Sequence, residues 1–209
     1  MQNGYLDEGY IKYQCEWELA PPLPYELLSE LNRWRSHMYD LRLIGYYPHL
    51  GVGYGNISYR CPGQYGHFII SGTQTGHIGR LTDMQYTAIS GYDIDANSLH
   101  CKGPVKASSE SLTHAAVYEL STRYQAVIHI HHFDMWKALL GKIPTTAEEV
   151  PYGTPEMAGE VARLYRESDL AVKRIFAMAG HEEGIIAFGE SLEAAADVII
   201  DHLHISQQS

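Results

Sequence analysis

The chain is poor in the residues that would mark a secreted, membrane-bound or nucleic-acid-binding protein. Its three cysteines, Cys15, Cys61 and Cys101, are widely spaced and include no C-x-x-C pair. An odd, scattered set suggests neither a disulfide framework nor a thiolate zinc site, and fits a reducing compartment. Basic residues are scarce: 15 Lys and Arg stand against 25 Asp and Glu, a formal net charge of −10, and nowhere do they cluster. That argues against nucleic acid or an anionic membrane as partner, although one local pocket can still hold an anion. No apolar run approaches the roughly 20 residues of a membrane span. The start, "MQNGYLDEGY", has neither the positive charge nor the apolar stretch of a signal peptide. The expectation is a cytoplasmic protein with a single main domain, since 209 residues suffice to bury a core without covalent staples.

What the chain does have is 12 histidines and 16 tyrosines, so position matters more than number. Ile11, Tyr13, Cys15 and Trp17 alternate with polar residues, the period of a half-buried strand over Tyr10 to Trp17. The prolines at 21, 22 and 24 end it, which makes residues 1–24 a strand-like extension ahead of a domain over 25–209. Leu27, Leu28, Leu31, Trp34 and Met38 predict an amphipathic helix over Tyr25 to Tyr39. Glycines at 51, 53 and 55 mark a bending loop, and strands over Asn56 to Cys61 and Tyr65 to Ser71 flank a "PGQ" turn. Further on, strand-like pieces at Tyr86 to Ile89 and Ser98 to Lys102 precede a helix over Glu110 to Tyr124 and a strand over Ala126 to His131. Thr154 and Pro155 read as N-cap and first residue of a helix to Arg166. Strands at Arg174 to Met178 and Gly184 to Phe188 lead to a closing helix from Leu192 to His204. Helices and strands interleave without repeats or low-complexity linkers, as in an α/β or α+β domain.

The densest chemistry lies in "VIHIHHFDM", Val127 to Met135. On a strand, residues two apart share a face, so His129 and His131 project together while Ile128 and Ile130 face the other way. Two imidazoles side by side suit one metal ion, for which zinc takes three protein ligands at a catalytic site. In isolation the pair reads equally well as hydrogen-bonded histidines at a strand end. His132 points away and reads as structural. His181, in a turn between Gly180 and Gly184, reads either as a third ligand or as a turn residue.

Six stretches occur in order along the chain: "GYGNISYR" (53–60), "ISGTQTG" (70–76), "ASSESLTHAAVYE" (107–119), "VIHIHH" (127–132), "PYGTPEMA" (151–158) and "AGHEEGIIAFG" (179–189). Together they resemble the class II aldolase/adducin family, in particular its fuculose-1-phosphate aldolase-like zinc sugar-phosphate lyases. The resemblance implies a three-layer α/β/α domain around a central, mainly antiparallel sheet, and a homotetramer with sites between subunits. It implies Zn2+ held by His129, His131 and His181, with Mn2+, Co2+ or Fe2+ able to occupy the same set. The family has histidine directly followed by glycine where this chain has Glu182 and Glu183 intervening, so either glutamate could join the site. The S-S-E glutamate, Glu110, is the implied catalytic acid/base. Asn56, Thr75, Gly76, Ser108 and Ser109 are the implied phosphate-binding set, chemically apt as hydroxyls, an amide and N–H groups at a helix start. Lys106 could add charge, and Ser108 could equally cap the helix. His114, one turn beyond Glu110, reads either as orienting it or, preferably, as packed beneath the sheet.

The implied reaction is retro-aldol cleavage of a small, phosphorylated sugar through a zinc-stabilised enediolate. The family's aldolases carry a tyrosine proton donor between the H-x-H strand and "PY", but "FDMWKALLGKIPTTAEEV" contains none. Tyr152 is nearby and reads as packed. An epimerase or dehydratase of a related pentulose phosphate is the alternative on the same zinc site, and an adducin-like interaction domain is the non-catalytic one. A zinc hydrolase is disfavoured by the lack of a nucleophile elbow or an H-E-x-x-H helix.

Overall fold

Strand alternation and helical apolar stripes along this chain generate two buried faces of one sheet. The computed structural model describes residues 9–61, 63 and 66–207. The first eight residues of the N-terminal extension, most of the "PGQ" turn and Tyr65 therefore lie outside the described residues. Ten strands form among the described residues: β1 (Gln14–Leu19), β2 (Gly45–Tyr47), β3 (Val52–Tyr54), β4 (Asn56–Arg60), β5 (Phe68–Ser71), β6 (Tyr86–Asp93), β7 (Ser98–Gly103), β8 (Ala126–His131), β9 (Ile175–Ala177) and β10 (Gly184–Gly189). The helices are α1 (Tyr25–Asp40), α2 (Ser111–Leu120), α3 (Phe133–Leu139), α4 (Pro155–Glu167), α5 (Leu170–Lys173) and α6 (Leu192–Gln207). None is long and apolar enough to cross a membrane, among the described residues.

Eight strands make the central sheet in the order β1-β7-β6-β5-β4-β8-β10-β9. Every neighbouring pair is antiparallel except β1 and β7, which run parallel from Gln14 opposite Ser98 to Leu19 opposite Gly103. One face of the sheet packs on α1, α3 and α6 through residues such as Leu31, Met38, Met135 and Ile199. The other packs on α2, α4 and α5 through Leu112, Val161 and Leu170. This is the three-layer α/β/α arrangement with a mainly antiparallel sheet.

Local signals explain most boundaries. Thr154 caps α4 by accepting a hydrogen bond from Met157 N, with Pro155 in the first turn. α2 stops at Leu120, short of the expected Tyr124, because Ser121 is extended and Arg60 donates to a carbonyl of the last turn, that of Tyr118 at 2.6 Å, and to one beyond the helix, that of Tyr124 at 2.8 Å. The strand expected over Tyr10 to Trp17 forms later, over Gln14 to Leu19, as an edge strand with mostly exposed side chains. Four short elements went unpredicted. The glycine-rich stretch read as a loop belongs to the β2–β3 hairpin, α5 lies between the expected helix and strand, and α3 follows β8 at once, its N-cap being His132, whose ring accepts from Met135 N at 3.1 Å.

Candidate active site

Alternation along β8 turns Ile128 and Ile130 toward α1 and α6 and leaves Val127, His129 and His131 on the side of α2 and α4. β10 pairs with β8 so that Gly184 lies opposite His131. The turn entering β10 closes through Gly184 N to His181 O at 2.9 Å, with Glu183 in the left-handed region at φ 69°. A side chain at 184 would meet the His181 ring at 2.5 Å, so glycine here is what lets that imidazole fold back over the sheet. The three rings converge: centroids are 4.9 Å apart for His129 and His131, 4.8 Å for His131 and His181, and 5.4 Å for His129 and His181.

The donor set fits a metal ion. One nitrogen from each of the three histidines lies within 4.8 Å of the others, and all three residues are buried. His131 Nε2 and His181 Nε2 are 3.1 Å apart, close to the roughly 3.3 Å between two imidazole ligands of one tetrahedral zinc. His129 Nε2 is buried and finds no hydrogen-bond partner among the described residues. Burial pushes the His129 imidazolium down to about 3, and burial plus the neighbouring histidines hold His131 and His181 well below the ordinary value. Neutral imidazole is the form a metal requires.

The outer nitrogens are held by other groups. His131 Nδ1 is 3.2 Å from the Tyr47 hydroxyl, which donates in turn to Glu183 Oε2. With Nδ1–H donating to Tyr47, this relay fixes the tautomer that keeps the Nε2 lone pair available. His129 Nδ1 lies 3.3 Å from Asn56 Nδ2, while Asn56 Oδ1 is buried without a partner among the described residues; with the amide turned end for end, Oδ1 accepts from Nδ1–H and leaves Nε2 bare for a metal. Asn56 thus sits against a histidine. Glu183 reaches the site through Tyr47, whereas Glu182 is exposed.

Glu110 faces the cluster from the start of α2, its Oε1 4.0 Å from His181 Nε2. The residue is 1% exposed, and neither carboxyl oxygen makes a hydrogen bond of good geometry among the described residues. Burial pushes its pKa up to about 7, and the Thr113 hydroxyl and Lys12 only partly oppose this. His114 is buried on α2: its Nδ1 meets Ser58 Oγ at 2.7 Å, Ser58 meets Tyr118 at 2.8 Å, and its Nε2 has no hydrogen-bond partner among the described residues.

The remaining predicted residues form two adjacent turns beside Glu110. Thr73 N bonds to Lys106 O at 2.9 Å and Gly72 bridges Ala107, which brings the turn of Thr75 and Gly76 against that of Ser108 and Ser109. Any side chain at 76 would strike Gly45 O at 2.0 Å, so the hairpin backbone packs directly on this turn. Arg35, buried on α1, donates to the carbonyls of Gly79 at 3.1 Å and Thr75 at 3.0 Å, and to that of Ile78, and so sets the loop's path. Lys106 is exposed and lies over the Trp17 ring. Tyr152 packs against His181, with ring centroids 4.5 Å apart. Sequence reasoning missed Tyr47, Arg35 and the reach of Lys12; the tyrosine-rich hairpin was the signal for the first.

A sequence model of the Class II Aldolase and Adducin N-terminal domain matches residues 41–207. No match was found among curated proteins. Among solved structures, l-fuculose-1-phosphate aldolase from Thermus thermophilus is similar at TM-score 0.64 and 22% identity, over 88% of this chain and 92% of that one. YgbL from Escherichia coli, described as a putative aldolase/epimerase/decarboxylase, superposes at TM-score 0.63 and 21% identity, over 88% and 87%. A sugar-phosphate aldolase from Thermotoga maritima gives TM-score 0.64 and 18% identity, over 88% and 94%. At such identities the likeness is one of fold.

Proposed function

Since the chain belongs to the class II aldolase and adducin family, we propose that it is a metal-dependent aldolase, a carbon–carbon lyase acting on a small phosphorylated sugar or related hydroxy-carbonyl compound. The observation that carries this reading is a buried carboxyl of raised pKa, without a hydrogen bond among the described residues, facing three neutral histidines. His129, His131 and His181 would hold the ion, Zn2+ for preference, with Mn2+, Co2+ or Fe2+ suited to the same donors. A divalent ion there supplies Lewis-acid stabilisation of the negative charge that carbon–carbon cleavage puts on the substrate's oxygens.

The protein's own groups supply the rest. Glu110 moves the proton: in the cleavage direction it delivers one to the carbon left electron-rich, and in condensation it removes one next to the carbonyl. Burial raises its pKa in the metal-free protein and the charge of a bound divalent ion would draw it back down, so burial and metal together set its proton affinity. The turns carrying Thr75, Gly76, Ser108 and Ser109 orient the phosphate by hydroxyl and N–H donation. Asn56 steadies His129, from which its amide lies 3.3 Å away, and can still face the phosphate with its remaining capacity.

A second reading, an epimerase or dehydratase acting on a related pentulose phosphate, is favoured by one observation: residues 133–150 contain no tyrosine to serve as the family's proton donor. An adducin-like interaction role is disfavoured by the convergent histidines and Glu110. The test is to load the protein with Zn2+ and screen a panel of sugar phosphates, following aldehyde release and isomer composition together. Aldehyde release abolished in Glu110→Gln supports the lyase, isomer exchange without aldehyde supports the epimerase, and neither across the panel refutes both. We also propose a cytoplasmic homotetramer, and a monomer in sedimentation at micromolar concentration would refute the assembly.

A further inference from the structure

The segment preceding β1 is laid across the loops that build the site. Gln74 Nε2 donates to Gly9 O at 3.2 Å, while Gln74 Oε1 accepts from Gly53 N at 3.0 Å. Tyr10 N donates to the Tyr152 hydroxyl at 3.1 Å. Tyr13 is buried and donates to Ala107 O at 3.2 Å and Ser108 O at 2.9 Å. Within five residues the chain is thus anchored to the Thr75 turn, to the Tyr152 turn and to the backbone just ahead of Glu110.

Lys12 sits between these anchors. Its carbonyl accepts from Asn97 Nδ2 at 3.0 Å, and its ammonium lies 3.7 Å from the centroid of the Tyr152 ring, which itself packs on His181. That cation–π contact holds the charge on the side of the site. The one guanidinium against the neighbouring turns, Arg35, is buried and committed to the carbonyls of Thr75, Ile78 and Gly79, and the lysine on them, Lys106, is exposed and lies over Trp17. In a chain of net charge −10 an anionic substrate needs a local cation.

We propose that Lys12 is a substrate-binding residue, whose ammonium pairs with an oxyanion of the substrate, phosphate or carboxylate, held between the Thr75 and Ser108 turns. This rests on the reading of the site as one that takes a small anionic hydroxy-carbonyl compound. It makes the N-terminal segment, which lies outside the stretch matched by the family model, part of the site.

The test uses the full-length protein loaded with Zn2+, titrated calorimetrically with inorganic phosphate and separately with acetate, for wild type, Lys12→Met, Lys12→Gln and Lys12→Arg. Zinc affinity is measured in each by chelator competition. The wild type should bind one of the two anions, and which one names the group. Lys12→Met and Lys12→Gln should weaken that binding roughly tenfold to a hundredfold, and Lys12→Arg should restore most of it, with zinc affinity equal throughout. Unchanged anion affinity in Lys12→Met and Lys12→Gln, parallel loss of zinc in both, or a zinc-loaded wild type that binds neither anion overturns the assignment. Failure of the metal reading shows separately, as a wild type that takes up no zinc. The same anion titrations on that metal-free protein then decide for or against Lys12 by the same loss or its absence.

Discussion

Replacing Glu110 by Gln should make the metal-free protein gain stability relative to wild type as pH rises. A carboxyl shifted from 4.5 to about 7 by burial is tolerated by the fold when protonated and opposed when charged. The penalty is therefore absent below pH 4.5, the unfolded value, grows through the interval up to about 7, and is complete above it. At about 1.4 kcal/mol for each tenfold change in proton affinity, the full penalty is roughly 3 kcal/mol. About 2.5 kcal/mol of it should develop between roughly pH 5 and pH 8.

The histidines act in the opposite sense. Their folded pKa values are depressed, so the stability they contribute is present above the ordinary 6.5 and is lost as pH falls toward the folded values, about 3 for His129. The raw pH profile mixes both, but the glutamine variant shares the histidines, so the difference between the two proteins isolates Glu110. The assay is urea unfolding in a chelator at matched protein concentration and several pH values. The variant's own side chain buries an amide, a roughly constant offset of order 1 to 3 kcal/mol. A difference that stays flat within about 0.5 kcal/mol across that range would refute the account of Glu110 as a carboxyl charged only against desolvation.

Arg35→Met should cost about 3 to 5 kcal/mol in urea unfolding, because the Thr75, Ile78 and Gly79 carbonyls lose a charged donor, and Arg35→Lys should cost less; equal stability would remove the argument for the loop's anchor. Tyr47→Phe and Glu183→Gln should each weaken zinc binding roughly tenfold to a hundredfold in chelator competition, since both hold the outer nitrogen of His131, while Glu182→Gln should leave it unchanged. Gly184→Ala should lower zinc affinity and melting temperature together, because the added methyl meets the His181 ring; wild-type behaviour would show that the ring can move aside.

Periodicity made the larger elements legible. The stripes of α1, α4 and α6, the alternation of β8 and the continuous apolar run of β10 each carry enough residues for the pattern to exceed its noise. The three-residue strands β2 and β3 cannot carry a period, and their glycines read as a loop because glycine serves both close packing and turns. α3 was hidden by His132, a residue that looked like part of the histidine run and is instead the cap of the next helix. The β1 register depended on pairing with β7, a contact some eighty residues away that local pattern does not encode.

The site divides along the same line. That His129 and His131 share a face followed from a strand's period of two, and the convergence of His181 on them needed the turn that Gly184 permits. The Tyr47–Glu183 contact on His131 joins residues 136 positions apart, and no spacing rule reaches that far. What the sequence signals only indirectly is expense. Glu110 and His129 Nε2 are buried without partners among the described residues, and a group so left costs about 1 to 3 kcal/mol or more. Native folds fill such gaps almost everywhere else. Their concentration around three neutral imidazoles is the physical argument that this corner of the sheet is kept for binding rather than for stability.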